Sequence, residues 1–152
     1  MSGSVFRLEM ESSVHINAPV EHVWDVFSDP QGWPEWCEVC LSVDCPGRMD
    51  WSVGSRLELR LKMAGVGVPF NVTVTESEPG HRVAWASTKM TVTATRTFTF
   101  EPDGDGTIMG DHKLFTSPVL PLRLFYPRPI IRNMTESWLR DIKAESERPG
   151  HE

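Results

Sequence analysis

The stretch from Met90 to Phe100 constrains the fold more than any other part of the chain. Met90, Val92, Ala94, Arg96, Phe98 and Phe100 share one parity, while Thr91, Thr93, Thr95, Thr97 and Thr99 take the other. A period of two places the two sets on opposite faces of a β-strand. Threonine is β-branched and tolerates water, so its face is expected to be solvated and the other covered. A sheet of such strands has one apolar side that another element must close.

The rest of the chain supplies the neighbours and the cover. Phe6, Leu8, Met10, Val14 and Ile16 alternate with Arg7, Glu9, Glu11, His15 and Asn17, which predicts a half-buried first strand. Ala18-Pro19 stops it, and Val20, Val23, Trp24 and Phe27 form the stripe of a short amphipathic helix that Pro19 opens. Asp29-Pro30-Gln31-Gly32 ends that helix, and Trp33-Pro34-Glu35-Trp36 makes a compact bend or second short helix.

From Leu41 to Thr116 strands and turns follow one another. Leu57, Leu59, Leu61 and Met63 lead to a turn at Gly65-Val66-Gly67, then Phe70, Val72 and Val74 lead to Pro79-Gly80. Val83 and Trp85 come next, then the threonine strand, a turn over Pro102 to Gly106, and a last strand from about Thr107 to Thr116. Short connections of this kind predict an antiparallel meander. Beyond Pro129, Ile131, Met134, Trp138 and Ile142 recur at helical spacing, giving a long helix that ends before Pro149-Gly150. With 152 residues and neither repeat nor linker, residues 1–152 read as a single domain.

Charge narrows the function. Fifteen Lys and Arg stand against 21 Asp and Glu, a net charge of −6. That balance argues against nucleic acid, which needs a basic stripe, and against anionic membrane surfaces. No apolar run approaches the ~20 residues of a membrane span, so no integral membrane association is expected. The opening Met-Ser-Gly-Ser-Val-Phe-Arg lacks a basic-then-apolar layout, and the expectation is a cytoplasmic monomer or homodimer. Six Trp, seven Phe and seven Met against one Tyr make the inward surface greasy.

Particular residues accompany this order of elements: Val14-His15-Ile16-Asn17-Ala18-Pro19-Val20-Glu21-His22-Val23-Trp24, then Asp29 and Trp36, and Phe98-x-Phe100-x-Pro102 followed by Gly106-Thr107. With the closing amphipathic helix, they resemble the START/polyketide-cyclase superfamily (SRPBCC, helix-grip), and within it the polyketide cyclase/dehydrase-like branch. The resemblance implies an α+β helix-grip fold. A curved antiparallel sheet of about seven strands would wrap around the long C-terminal helix, with two short helices after the first strand. It also implies an apolar cavity between sheet and helix. Members include aromatases and cyclases, lipid and sterol carriers, quinone-binding proteins and co-chaperones, so the fold leaves the function open.

The inward parities nominate the walls of that cavity: Leu59, Leu61, Phe70, Val72, Trp85, Phe98, Met109, Met134 and Trp138. The same side chains would serve a solid core. Met63, Met90, Met109 and Met134 suit either reading, since a thioether chain adapts to irregular neighbours. Arg96 shares the apolar parity, where a charge is costly unless paired. If Phe100 opposes Thr107, Arg96 faces Asp111 and Phe98 faces Met109; a one-residue slip opposes Arg96 to His112 instead. The pair is either structural or an arginine left to orient a ligand oxygen. In a cyclase-like mechanism, Arg96 would stabilise an oxyanion, and Asp111 or His112 would move the proton.

Cys37, Cys40 and Cys45 read as ordinary thiols: a zinc site needs four ligands, and no second cysteine pair exists. No metal or other cofactor is called for. Three functions follow in order. The first is a binding module for a small hydrophobic molecule such as a lipid, quinone or polyketide-like compound, in a cavity of several hundred Å3. The second is a cyclase or dehydratase using that cavity. The third is a co-chaperone-like interaction module with an apolar patch around Leu122, Leu124, Phe125 and Tyr126, a stretch that equally suits a cavity rim.

Overall fold

The computed structural model describes residues 6–45 and 49–149, apart from the side chains of Arg123 and Phe125. Strand β1 (Phe6–Ile16) is followed by helix α1 (Val20–Phe27), a 3-10 turn (Pro30–Gly32) and helix α2 (Trp33–Trp36). Strands β2 (Cys40–Asp44), β3 (Arg56–Met63), β4 (Val66–Glu78), β5 (Arg82–Lys89), β6 (Val92–Asp103) and β7 (Gly106–Ser117) come next. A single turn of helix, α3 (Leu122–Phe125), leads into α4 (Arg128–Glu147).

All seven strands join one sheet in the order β1-β7-β6-β5-β4-β3-β2, with every neighbour antiparallel. The meander runs from β2 to β7, and β1 closes onto β7. Helix α4 touches both β1, at one edge, and β3, near the other. Five strand spacings separate those strands, about 24 Å along a flat sheet, whereas a helix is only ~10–12 Å across. The sheet therefore curves around α4. Pro127 and Pro129 open that helix, where a missing N–H leaves no bond unmade. Its inward stripe is Ile131, Thr135, Trp138, Leu139 and Ile142.

The register of the last hairpin differs from the expected one. Phe98 lies opposite Asp111, Phe100 opposite Met109, and Arg96 opposite Lys113. The chain reverses in two residues, Gly104 and Asp105, with Gly104 at φ 61°, so pairing continues to Asp103 opposite Gly106. Pro102 stays inside the strand. Phe100 donates its N–H to His81 O on the β5 side, so position 102 points the same way, beyond the start of β5. A missing N–H costs little there. The shift is two residues, so no side chain changes face.

Two further expectations are corrected. The turn between β3 and β4 is Ala64-Gly65, with Val66 and Gly67 already paired in β4. Met90 does not face inward: it occupies the Met90-Thr91 turn at φ 58° and is 94% exposed.

Candidate functional site

The space between sheet and helix divides into two regions. One end is solid with aromatic rings. Phe27 lies 4.8–5.7 Å from the ring centres of Trp24, Trp33, Trp51, Phe98 and Phe100. Two indole N–H groups there are used: Trp33 Nε1 donates to Phe27 O at 2.9 Å, and Trp51 Nε1 to Ser28 O at 3.0 Å. Phe98 and Met109 belong to this packing, fully buried. Neither lines the cavity for which the sequence nominated it.

Towards the Ala64-Gly65 and Met90-Thr91 turns the packing opens into a cavity. About 100 Å3 of it can be reached by the centre of a water molecule, within about 770 Å3 of atom-free space that runs out to solvent. Leu59, Leu61 and Met63 of β3, and Phe70 and Val72 of β4, wall one side. Trp85 of β5, Ala94 and Arg96 of β6, and Phe115 of β7 continue around it. Ile131, Met134, Thr135 and Trp138 of α4 cover it, with Tyr126 at the rim. Eight of the sequence-nominated residues thus lie together here: Leu59, Leu61, Phe70, Val72, Trp85, Arg96, Met134 and Trp138.

One buried polar cluster interrupts these apolar walls. Arg96 Nε donates to both Asp111 oxygens at 3.1 Å, and Arg96 Nη2 to Oδ2 at 2.5 Å. The pair forms diagonally, because two positions along a neighbouring strand return to the same face. Lys113 Nζ donates to Asp111 Oδ1 at 3.0 Å and to Thr135 Oγ1 at 2.5 Å, and the Thr135 hydroxyl in turn donates a hydrogen bond to Ile131 O at 2.9 Å. The Arg96 guanidinium lies 4.5 Å from the Phe98 ring centre, 4.7 Å from Trp138 and 5.9 Å from Trp85, a cage of π-faces that suits a cation. Arg96 Nη1 makes no hydrogen bond among the described residues and is not sealed off. The cluster thus offers the cavity donors rather than acceptors.

Burial works to raise the Asp111 carboxyl, but the charges of Arg96 and Lys113 outweigh it and hold the group below its ordinary range. Asp111 remains an anion with a fully enclosed side chain. It positions the two cations and is badly placed to move a proton. For Lys113, burial pushes the amine down to about 7, the Arg96 charge adds to that push, and Asp111 opposes it. Lys113 and Thr135 were absent from the sequence-based candidates. Lys113 shares the inward parity of Asp111, and that signal was there to be read.

His112 takes the opposite face: its Nε2 meets Glu9 Oε2 at 2.9 Å, away from the cavity. Period two forbids it from joining Asp111. The cysteines are buried and unlinked; burial pushes the Cys37 thiol up to about 12 and Cys40 up to about 11, which makes poor nucleophiles. The apolar patch expected near Leu122 does not form as a unit. Leu122 is fully buried, Tyr126 lines the cavity, Leu124 is exposed, and the Phe125 side chain lies outside the described residues. Among the described residues no helix is long and apolar enough to cross a membrane.

Known structures share this architecture. ZhuI aromatase/cyclase from Streptomyces sp. R1128 matches with a TM-score of 0.78 over 93% of this chain and 94% of its own, at 16% identity. Ginseng major latex-like protein 151 from Panax ginseng gives 0.79 over 93% and 99%, at 11% identity. Truncated norcoclaurine synthase from Thalictrum flavum gives 0.75 over 97% and 98%, at 13% identity. At such identities the likeness is one of fold. No curated protein matches the sequence. The model of one sequence family does match, over residues 7–146, nearly the whole chain, and the protein belongs to that family, polyketide cyclase/dehydrase and lipid transport.

Proposed function

We propose that the protein binds a small hydrophobic molecule in the cavity between the sheet and α4. The observation that carries this reading is the contrast inside one interior: apolar walls around open space, with a single buried donor cluster at Arg96 and Lys113. Such a site takes up a greasy body and fixes one polar group. The test is a fluorescence titration with N-phenyl-1-naphthylamine, a neutral apolar probe. Saturable one-to-one binding is expected, weakened tenfold or more by Ala94→Trp, which fills the space from β6. Absence of binding to the wild-type protein, or equal binding by the variant, would sink the proposal.

Catalysis of the cyclase or dehydratase kind is the second reading, and Lys113 is the observation in its favour. Its amine, brought to about 7, can give or take a proton near neutral pH, beside an arginine able to stabilise an oxyanion. The role foreseen for Asp111 or His112 passes to Lys113. Turnover of a poly-β-ketone thioester that is lost in Lys113→Arg, with substrate binding retained, would support it. Unchanged turnover in that variant would remove it.

A further inference from the structure

The polar end of the cavity holds one more buried cation than it holds anions. Arg96 and Lys113 share the single carboxylate of Asp111. The other charged residues at the cleft between β1 and α4 do not supply a counter-charge: Glu9 and Glu11 belong to the opposite face of β1, Glu9 being bonded to His112, and Arg128 and Arg132 of α4 are themselves cations. All four are exposed, and none brings a negative charge to the buried pair, so the surplus stands. From the remaining elements, Thr135 of α4 is neutral, and burial raises the Tyr126 phenol, which keeps it neutral as well. Hydrogen bonding is lopsided in the same sense. Asp111 accepts from both cations, while Arg96 Nη1 and the third Lys113 proton have no acceptor among the described residues.

A buried excess of positive charge and of donors is relieved in two ways: the lysine gives up its proton, or an anion arrives. With its amine brought down to about 7, Lys113 can follow the first course above neutral pH. From this we infer that the cavity selects hydrophobic molecules carrying one anionic oxygen group, a carboxylate or an enolate, and that binding draws one proton from solvent onto Lys113. The inference deepens the binding reading and rests on it. The balance is simple: neutral amine, solvent proton and ligand anion become an ammonium paired with the bound anion. A neutral ligand of the same shape gains nothing from the surplus.

Two fluorescent probes separate the cases. N-Phenyl-1-naphthylamine and 8-anilinonaphthalene-1-sulfonate share a fluorophore and differ by one permanently ionised sulfonate. At pH 6, where Lys113 is charged, the sulfonate is expected to bind about tenfold more tightly than the neutral probe. By pH 8.5 that advantage should be gone, a tenfold change being what one pKa unit of coupling implies. Calorimetry at pH 7.5 in phosphate and in Tris should show proton uptake with the sulfonate and none with the neutral probe. Lys113→Met, checked for folding by circular dichroism, should remove both the preference and its pH dependence. Equal affinities at pH 6, a preference that persists to pH 9, or one that survives in Lys113→Met would overturn the inference while leaving the binding reading intact. If neither probe binds, the binding reading itself falls. Should the variant fail to fold, the wild-type pH profile and proton uptake decide alone.

Discussion

The two ends of the interior are built from the same strands and the same helix, yet they answer opposite demands. Phe98 and Phe100 on β6 sit among Phe27, Trp24 and Trp33, ring against ring. Two and four residues earlier on the same face, Arg96 and Ala94 look onto open space. Helix α1, α2 and the Trp51 segment cover the first end, whereas only the start of α4 and the Tyr126 rim cover the second. A domain of this size has apolar surface enough for one dense core, and here the density is concentrated at one end. Arg96 marks the border, its guanidinium against the last rings of the core while the residue lines the cavity wall.

The comparison breaks most visibly under large-to-small substitution. Phe27→Ala removes a ring that touches five others and is expected to cost about 4 kcal/mol in urea unfolding. Phe70→Ala, on a wall that already borders open space, should cost roughly 1–2 kcal/mol. Equal losses would mean that both ends are packed alike.

At the border, Asp111→Ala should come next, at roughly 3 kcal/mol, because it leaves Arg96 and Lys113 enclosed with no counter-charge. Two proteins of equal stability would show that the cluster is open to water. The Arg96–Asp111 pair was legible in the sequence for an instructive reason. The assumed register was wrong by two residues, but parity survives an even shift, and a long arginine reaches diagonally. The face of every residue from Val92 to Phe100 was readable for the same cause, and Met90 was not, because a tight turn ends the alternation before it. Which inward residues line space and which fill the core was beyond parity. Phe98 and Trp85 have the same pattern and both pack against rings, Phe98 on Phe27 and Trp85 on Trp33, yet of the two only Trp85 reaches the cavity. Lys113 is absent from the sequence-based candidates although its parity places it on the face of Asp111.

The pH dependence of stability tests the same border more gently. The Lys113 amine falls from 10.5 in the unfolded chain to about 7 in the fold. Between those values the unfolded chain holds a proton that the folded protein has lost, so stability rises with pH across that window. Below pH 7 both states are protonated, and the penalty of the buried charge is complete and constant. Relative to Lys113→Met, the wild-type protein should therefore gain roughly 1–3 kcal/mol between pH 6.5 and pH 9.5 in urea titrations. A flat difference between the two proteins would place the amine in ordinary contact with water.

The smallest effect concerns the turns, which differ between the ends in the same direction as the packing. At the dense end the hairpins reverse through Gly80 at φ 83° and Gly104 at φ 61°, residues that adopt the left-handed region freely. At the cavity end the left-handed positions include Ala64 at φ 51° and Met90 at φ 58°, where a Cβ crowds the neighbouring carbonyl at a cost of about 1–2 kcal/mol each. Ala64→Gly relieves that crowding but gives the unfolded chain more freedom, which offsets roughly 0.4–1 kcal/mol. The net expectation is a gain of about 0.5–1 kcal/mol, read as a higher urea midpoint with an unchanged slope. Gly80→Ala, the reverse change at the dense end, should lose a similar amount. If Ala64→Gly also alters affinity for N-phenyl-1-naphthylamine, the β3–β4 hairpin belongs to the entrance of the cavity, and its strain is part of how the entrance is held. An unchanged affinity would leave the hairpin as scaffold only, with the entrance set by Tyr126 and the start of α4.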